Sequence, residues 1–232
     1  MESASEPSTP RDHPRWPLHW AATVALALVA GGLLAASFFV DAPVVAGIKS
    51  TRSGSHNHTV FEDNELHRFL RFLESYGHGF GAALAFLIVG LVCHHWRTAL
   101  RLAAAVLMAA APYLILARLF IHRCRPDSWR DWASGAVWST FAAGGASFPS
   151  GHTATAVAFS IVLAAAYPRG RWVFLPLAVL CGVARVLTLD HFVSDVIAGA
   201  ILGAAAGLLA VFSPSLTGLL NRIVGRFERP AD

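Results

Sequence analysis

At 232 residues, 55% hydrophobic and only 14% charged, the chain has too little polar surface for an ordinary water-soluble domain and reads as membrane-embedded. Its net charge of +4 suits anionic lipid or phosphate, and no nucleic-acid-binding motif accompanies it. The three cysteines, Cys93, Cys124 and Cys181, are odd in number and widely spaced, so they suggest neither a disulfide framework nor a zinc site.

In chain order, residues 1–17 are polar and rich in Ser and Pro, and predict a flexible cytoplasmic tail. Leu18 to Val40 is a 23-residue apolar run, longer than a signal-peptide core, and predicts a first transmembrane helix. Residues 41–77 read as a polar connection. Within it Leu66, Phe69, Leu70 and Leu73 recur at helical spacing and predict an interfacial helix, with Thr59 and Glu62 at capping-box spacing ahead of it. His56 and His58 in the same connection read as solvated rather than metal-binding.

Gly79 to Cys93 predicts a second span, ending at His94 and His95, which read as an interfacial pair. Leu102 to Ala117 predicts the third, with Pro112 inside it, a break that bundles tolerate. The following loop holds Trp129, Trp132 and Trp138, suited to headgroup depth, and Gly144-Gly145, which lets the chain bend. Thr153 to Tyr167, Trp172 to Leu189 and Val196 to Phe212 predict the fourth, fifth and sixth spans. Gly199, Gly203 and Gly207 recur every four residues in the last, a small-residue stripe for close helix packing. The expected fold is all-α: six transmembrane helices over residues 18–212, an interfacial helix between the first and second, and a basic cytoplasmic tail over 213–232.

With the N-terminus inside, nine basic residues fall in the cytoplasm and nine outside, and much of the outer set lies in long connections, so this placement is modestly favoured. In either orientation three boundaries share one face: the end of helix three, the start of helix four and the turn between helices five and six. The first holds Arg118, His122, Arg123 and Arg125, a density of cations that suits an anion or membrane anchoring. The second, Phe148-Pro149-Ser150-Gly151-His152, opens a helix whose free N–H groups and positive dipole end attract phosphate, although a capping serine is an equally ordinary reading of it. His152 titrates near neutrality and suits proton donation to a leaving oxygen. In the third, His191 and Asp195 are four apart, so on one helix they share a face and the carboxylate can hold the imidazole as a nucleophile; the alternative is a pair that merely satisfies itself.

Taken together, Arg118 and Arg125-Pro126, then Pro149-Ser150-Gly151-His152, then Arg185, His191 and Asp195 resemble, in order and spacing, the three-part signature of the type 2 phosphatidic acid phosphatase (PAP2) family. Two positions depart from the pattern: Arg118 stands where Lys is usual, and Ala184 where Ser commonly precedes the third-motif Arg. The resemblance implies a lipid phosphatase of the bacterial cytoplasmic (inner) membrane with its site on the extracytoplasmic face. Its partners would be membrane lipids and a lipid phosphate: phosphatidic acid, phosphatidylglycerol phosphate, a polyprenyl diphosphate or a lipid A type glycolipid. It further implies that Arg118, Arg125 and Arg185 clamp the phosphoryl oxygens, with Ser150 and Gly151 adding donors. His191, oriented by Asp195, would attack phosphorus, and His152 would serve the leaving group and then water. No cofactor and no metal are expected, because arginines neutralise the charge and no paired carboxylates are evident near the motifs. A phosphotransferase with the same site and a noncatalytic lipid-phosphate binding or transport protein are the alternatives.

Overall fold

The computed structural model describes residues 20–53, 65–115, 123–129 and 147–227. The N-terminal tail, His56, His58, the Thr59/Glu62 cap, Arg118, His122, Trp132, Trp138 and Gly144-Gly145 lie outside them. The described residues form α1 (Trp20–Ser53), α2 (Glu65–Tyr76), α3 (Gly79–Leu87) continued by a π turn (Ile88–Val92), α4 (Trp96–Ile115), α5 (Gly151–Ala166), a 3-10 turn (Pro168–Gly170), α6 (Arg171–Leu187), α7 (Val193–Phe212) and α8 (Pro214–Phe227).

Helix α5 is the hub, packed against α4, α6 and α7. It can be, because its buried positions are mostly small: Thr153, Ala154, Ala156, Ala158 and Ser160, with Phe159, Val162 and Leu163 supplying bulk. The predicted glycine stripe of α7 lies directly on it. A Cβ added at Gly199 would sit 2.4 Å from the Ser150 carbonyl oxygen, at Gly203 2.3 Å from that of Ala154, and at Gly207 2.8 Å from that of Ala158. Backbone thus rests on backbone, and Asp195, one turn before Gly199, is brought against the start of α5, where its carbonyl accepts the Ser150 N–H at 2.9 Å. A polar cluster ties α2, α5 and α6 inside the bundle: the Tyr76 hydroxyl lies 2.8 Å from Ser160 Oγ, and the two lie 3.3 and 3.1 Å from the Phe174 carbonyl.

Three stretches are long and apolar enough to cross a bilayer: Ala22–Thr51, Pro168–Leu187 and Val193–Phe212. Glu65–Tyr76 with Gly79–Val92, bent by 55°, adds a fourth if the pair is one span. Leu28, Phe39, Trp172, Val179 and Leu209 are exposed on these helices, a surface suited to lipid and not to water. The fold is all-α and that of an integral membrane protein.

Several boundaries differ from those the sequence predicts. Helix α1 does not end at Val40 but continues through Asp41 and Pro43 to Ser53, because Asp41 is buried and paired inside the bundle and does not force the chain out of it. Helix α4 starts at Trp96, not Leu102, taking Arg97 and Arg101 into the helix; Arg101 donates to Thr217 Oγ1 of α8 at 3.2 Å. The segment after Ser213 is helical, with Leu220 and Val224 turned inward. The amphipathic segment forms α2, whose Leu70 and Leu73 pack on Ala184 and Leu177 of α6 while Leu66, Phe69 and Phe72 stay exposed. Trp129, which the sequence suits to headgroup depth, is buried edge-on against Phe192.

A methyl group at Gly203 meets backbone that cannot yield, whereas Gly218 in α8 has nothing within 4 Å of an added Cβ. Gly203→Ala is expected to destabilise the protein by about 1–3 kcal/mol, and Gly218→Ala to stabilise it by up to about 1 kcal/mol. Thermal unfolding in detergent compares the two; equal melting temperatures would contradict the packing described.

Candidate active site

The site is assembled by the turn after α6. Leu189 adopts φ +61°, a left-handed conformation that costs a residue with a side chain roughly 1–2 kcal/mol. Burial of Leu189 with Val45, Trp129 and Phe192 offsets that cost. The turn returns the N–H groups of Asp190 and His191 to the Arg185 carbonyl at 3.2 and 3.1 Å, so three functional side chains leave one rigid loop.

His191 is buried, and its Nδ1 lies 2.7 Å from the Ser147 carbonyl oxygen. A carbonyl only accepts, so Nδ1 carries a proton, and in the neutral ring the lone pair is on Nε2. Asp195, which the sequence assigns to hold this ring, stands 3.6 Å from Nδ1, beyond hydrogen-bond reach. It still faces the ring as a charge at that distance, and a second link runs through Ser147, whose hydroxyl donates to Asp195 Oδ2 at 2.5 Å while its carbonyl meets the imidazole. Oδ2 also accepts the Phe192 N–H at 2.8 Å, and Oδ1 receives Arg123 Nη1. Arg123 in turn donates to Ser194 Oγ at 2.6 Å and, through Nη2, to Asp41 Oδ2 of α1 at 2.7 Å.

The arginines expected to meet phosphate are held by carboxylates. Arg185 Nη1 lies 3.0 Å from Glu74 Oε2 and 3.2 Å from Asp190 Oδ2, and Arg125 Nη1 lies 3.2 Å from Asp190 Oδ1. Arg71 of α2 joins them, 2.9 Å from Glu74 and 3.1 Å from Asp190, and the Thr188 hydroxyl lies 3.0 and 2.8 Å from the same two residues. Two carboxylates therefore border the motifs, each engaged by arginines. Arg185 Nε is buried with no hydrogen-bond partner among the described residues. Burial acts to raise the Asp190 carboxyl, but Arg185, the Thr188 hydroxyl, Arg71 and Arg125 together hold it below the usual aspartate value.

Ser150 is fully buried, its hydroxyl 3.0 Å from that of Thr153, and so has no exposed surface from which to reach a ligand. It stands at the N-cap of α5, and Gly151 and His152 occupy the first turn, where N–H groups have no intrahelical acceptor. His152 interacts electrostatically with Arg185 and His191, and its ring centroid is 5.5 Å from that of His78. Gly77 makes room for it: a Cβ there would lie 2.3 Å from the His152 carbonyl oxygen. Of the residues singled out from sequence, Arg125, Ser150, Gly151, His152, Arg185, His191 and Asp195 converge, and Arg118 lies outside the described residues.

Sequence comparison fits this convergence. The family model described as the PAP2 superfamily matches residues 98–215, just over half of the chain. The chain belongs to the PAP2 superfamily. Among its PAP2 relatives, a lipid A 1-phosphatase from Rhizobium johnstonii is 40% identical over 105 residues, covering 44% of this chain and 43% of the relative. Another lipid A 1-phosphatase, from Rhizobium etli, is 36% identical over 123 residues, covering 47% and 53%. The chain thus spans about half the length of the curated relatives that it matches. The crystal structure of Aquifex aeolicus LpxE is similar with a TM-score of 0.53 at 22% identity, over 68% of this chain and 95% of that one. The PAP2 type phosphatidylglycerolphosphate phosphatase of Bacillus subtilis follows, with a TM-score of 0.50 at 19% identity over 85% and 98%. These two likenesses show the fold alone.

Sequence reasoning passed over Asp41, Glu74, Arg71, Ser147, Asp190 and the role of Arg123 in this PAP2 site. Two carried a signal: Asp41 is an acid directly after a long apolar run, and Glu74 lies four residues after Leu70, on the apolar face of α2. A carboxyl lowered by folding contributes stability that is complete above its ordinary value, about 3.9, and is lost as pH falls through its folded value. Asp190→Asn is therefore expected to melt below the parent protein at pH 7, with the gap closing only as pH drops below about 4. Melting curves in detergent across pH check this; a gap that closes near pH 6 would contradict it.

Proposed function

We propose that the protein is a membrane lipid phosphatase that removes a phosphate monoester from a lipid A type glycolipid through a phosphohistidine. The observation that carries the reading is the 2.7 Å contact of His191 Nδ1 with the Ser147 carbonyl, which in the neutral ring leaves the Nε2 lone pair free to attack, on the same turn that returns the His191 N–H to the Arg185 carbonyl. The substrate class rests on the names of the two relatives, both lipid A 1-phosphatases. Arg185 and Arg125, joined by Arg118, bind the phosphoryl oxygens, and the Gly151 and His152 N–H groups add donors where charge accumulates. Ser150 supports the helix start and does not touch phosphate.

His191 Nε2 attacks phosphorus, the bond from phosphorus to the lipid oxygen breaks, and that oxygen leaves with the electron pair and takes a proton from His152. His152 then accepts a proton from water as the water attacks the phosphohistidine, releasing phosphate and restoring neutral His191. No metal or cofactor takes part. We further assign six membrane crossings within residues 18–212, α4 and α5 among them, with α2 at the interface. The tails over 1–17 and 213–232 lie in the cytoplasm, and the site opens on the outer face of the inner membrane.

The purified protein, with chelator present, is expected to release phosphate from lipid A in preference to phosphatidic acid, phosphatidylglycerol phosphate and undecaprenyl diphosphate. His191→Ala is expected to lower turnover by about a thousandfold or more. Vanadate, shaped like the phosphoryl transition state, is expected to inhibit. Undiminished turnover in His191→Ala would sink the phosphohistidine, loss on chelation would sink the metal-free scheme, and transfer of phosphate to a second lipid would reassign the reaction.

A further inference from the structure

We propose that Asp41 and Arg123 are positioning residues for the reaction, and that Asp41 sets the charge beside His191 to suit the phosphorylated ring. The inference rests on the reading of His191 as nucleophile. Asp41, Arg123 and Asp195 form one buried chain: Arg123 bridges the two carboxylates, its Nη1 on Asp195 and its Nη2 on Asp41. Arg123 is 3% exposed and Asp195 0%. Ser194 closes the cluster, its N–H 2.9 Å and its hydroxyl 2.5 Å from Asp41. The Arg123 guanidinium carbon also lies 4.1 Å from the centre of the Phe192 ring, so the cation is walled by aromatic surface as well as by anions.

Among the described residues, two carboxylates around one guanidinium give this buried cluster a net charge of −1. Arg123 with Asp195 alone would be neutral, so among the described residues Asp41 gives this cluster its surplus charge, and that charge has a use at the site. That use is reached through Ser147, which joins Asp195 to the Nδ1 side of His191. In the resting state the imidazole is neutral and the cluster holds one surplus negative charge. When Nε2 bonds to phosphorus, Nδ1 keeps its proton and the ring becomes cationic, so ring and cluster together are neutral. The charges facing the ring from the other elements do not supply this balance. Arg185 and Asp190 are tied to each other, to Glu74 and to Arg71 and Arg125, and His152 is engaged with the leaving oxygen. Asp41 comes from α1, outside the segment that matches the family model, so α1 is part of the catalytic apparatus and not only an anchor.

The test is Asp41→Asn, which keeps size and one hydrogen-bond acceptor but removes the charge. Phosphoenzyme formation is followed in single turnovers with the lipid substrate, alongside steady-state kcat and KM. The rate of His191 phosphorylation is expected to fall by about thirtyfold or more, with KM within about threefold, because the phosphate clamp is untouched. A rate within about threefold of the parent, or a loss confined to KM, would overturn the proposal. Should Asp41→Asn fail to fold in detergent, Asp41→Glu keeps the carboxylate and its charge beside Arg123. It is expected to phosphorylate His191 within about tenfold of the parent, and a loss beyond about a hundredfold would overturn the proposal. Absence of any phosphohistidine in the parent protein, with turnover intact, would instead reject the nucleophile on which the inference rests.

Discussion

Asp195 is sealed from solvent, and a carboxylate without water has to receive its hydrogen bonds from the protein. Three donors supply them: the Ser147 hydroxyl from ahead of α5, the Phe192 N–H at the start of α7, and Arg123, itself tied to α1. Each belongs to a different part of the chain, so this one anion ties together segments more than 150 positions apart. The geometry of His191 follows from it, because the residue that answers the carboxylate with its hydroxyl answers the imidazole with its carbonyl.

Such tolerances require backbone that does not drift, and the α5–α7 contact supplies it. Where glycines sit on carbonyl groups no rotamer can shift to absorb strain, so the spacing of the two helices is set by main-chain atoms. The stiff contact begins at the very turn that carries Ser150 and His152. Packing and chemistry are therefore determined by the same few residues at one end of the bundle.

The motif spacings and the apolar runs were legible because both are local properties of the chain, and seven of the eight site residues chosen from them converge. The glycine stripe was legible for the same reason. What was hidden depends on partners distant in sequence. Asp41 reads as the start of a polar connection until Arg123, 82 positions away, is seen beside it. Ser147 acts on the imidazole through its carbonyl, which every residue has, so no side-chain pattern could announce it. Helical periodicity places Asp195 and His191 on one face, 3.6 Å apart, but it does not foretell that the Ser147 carbonyl comes closer to the ring. Ser150 stands at the helix start as its motif implies, but the burial of its hydroxyl beside Thr153 depends on α7 lying over it, a contact distant in sequence.

The carboxylates of Glu74 and Asp190 give the arginine cluster a counter-anion of its own. Any phosphate bound there, as proposed, enters by exchange and not by filling an unsatisfied cavity, and it leaves by the reverse exchange as the carboxylates reclaim the guanidinium groups. Affinity for the bare anion is then only the difference between two ionic contacts, so inorganic phosphate is held weakly and the lipid portion must supply most of the binding. A reservoir of built-in anions of this kind lets a strongly cationic site turn over without being poisoned by its own product.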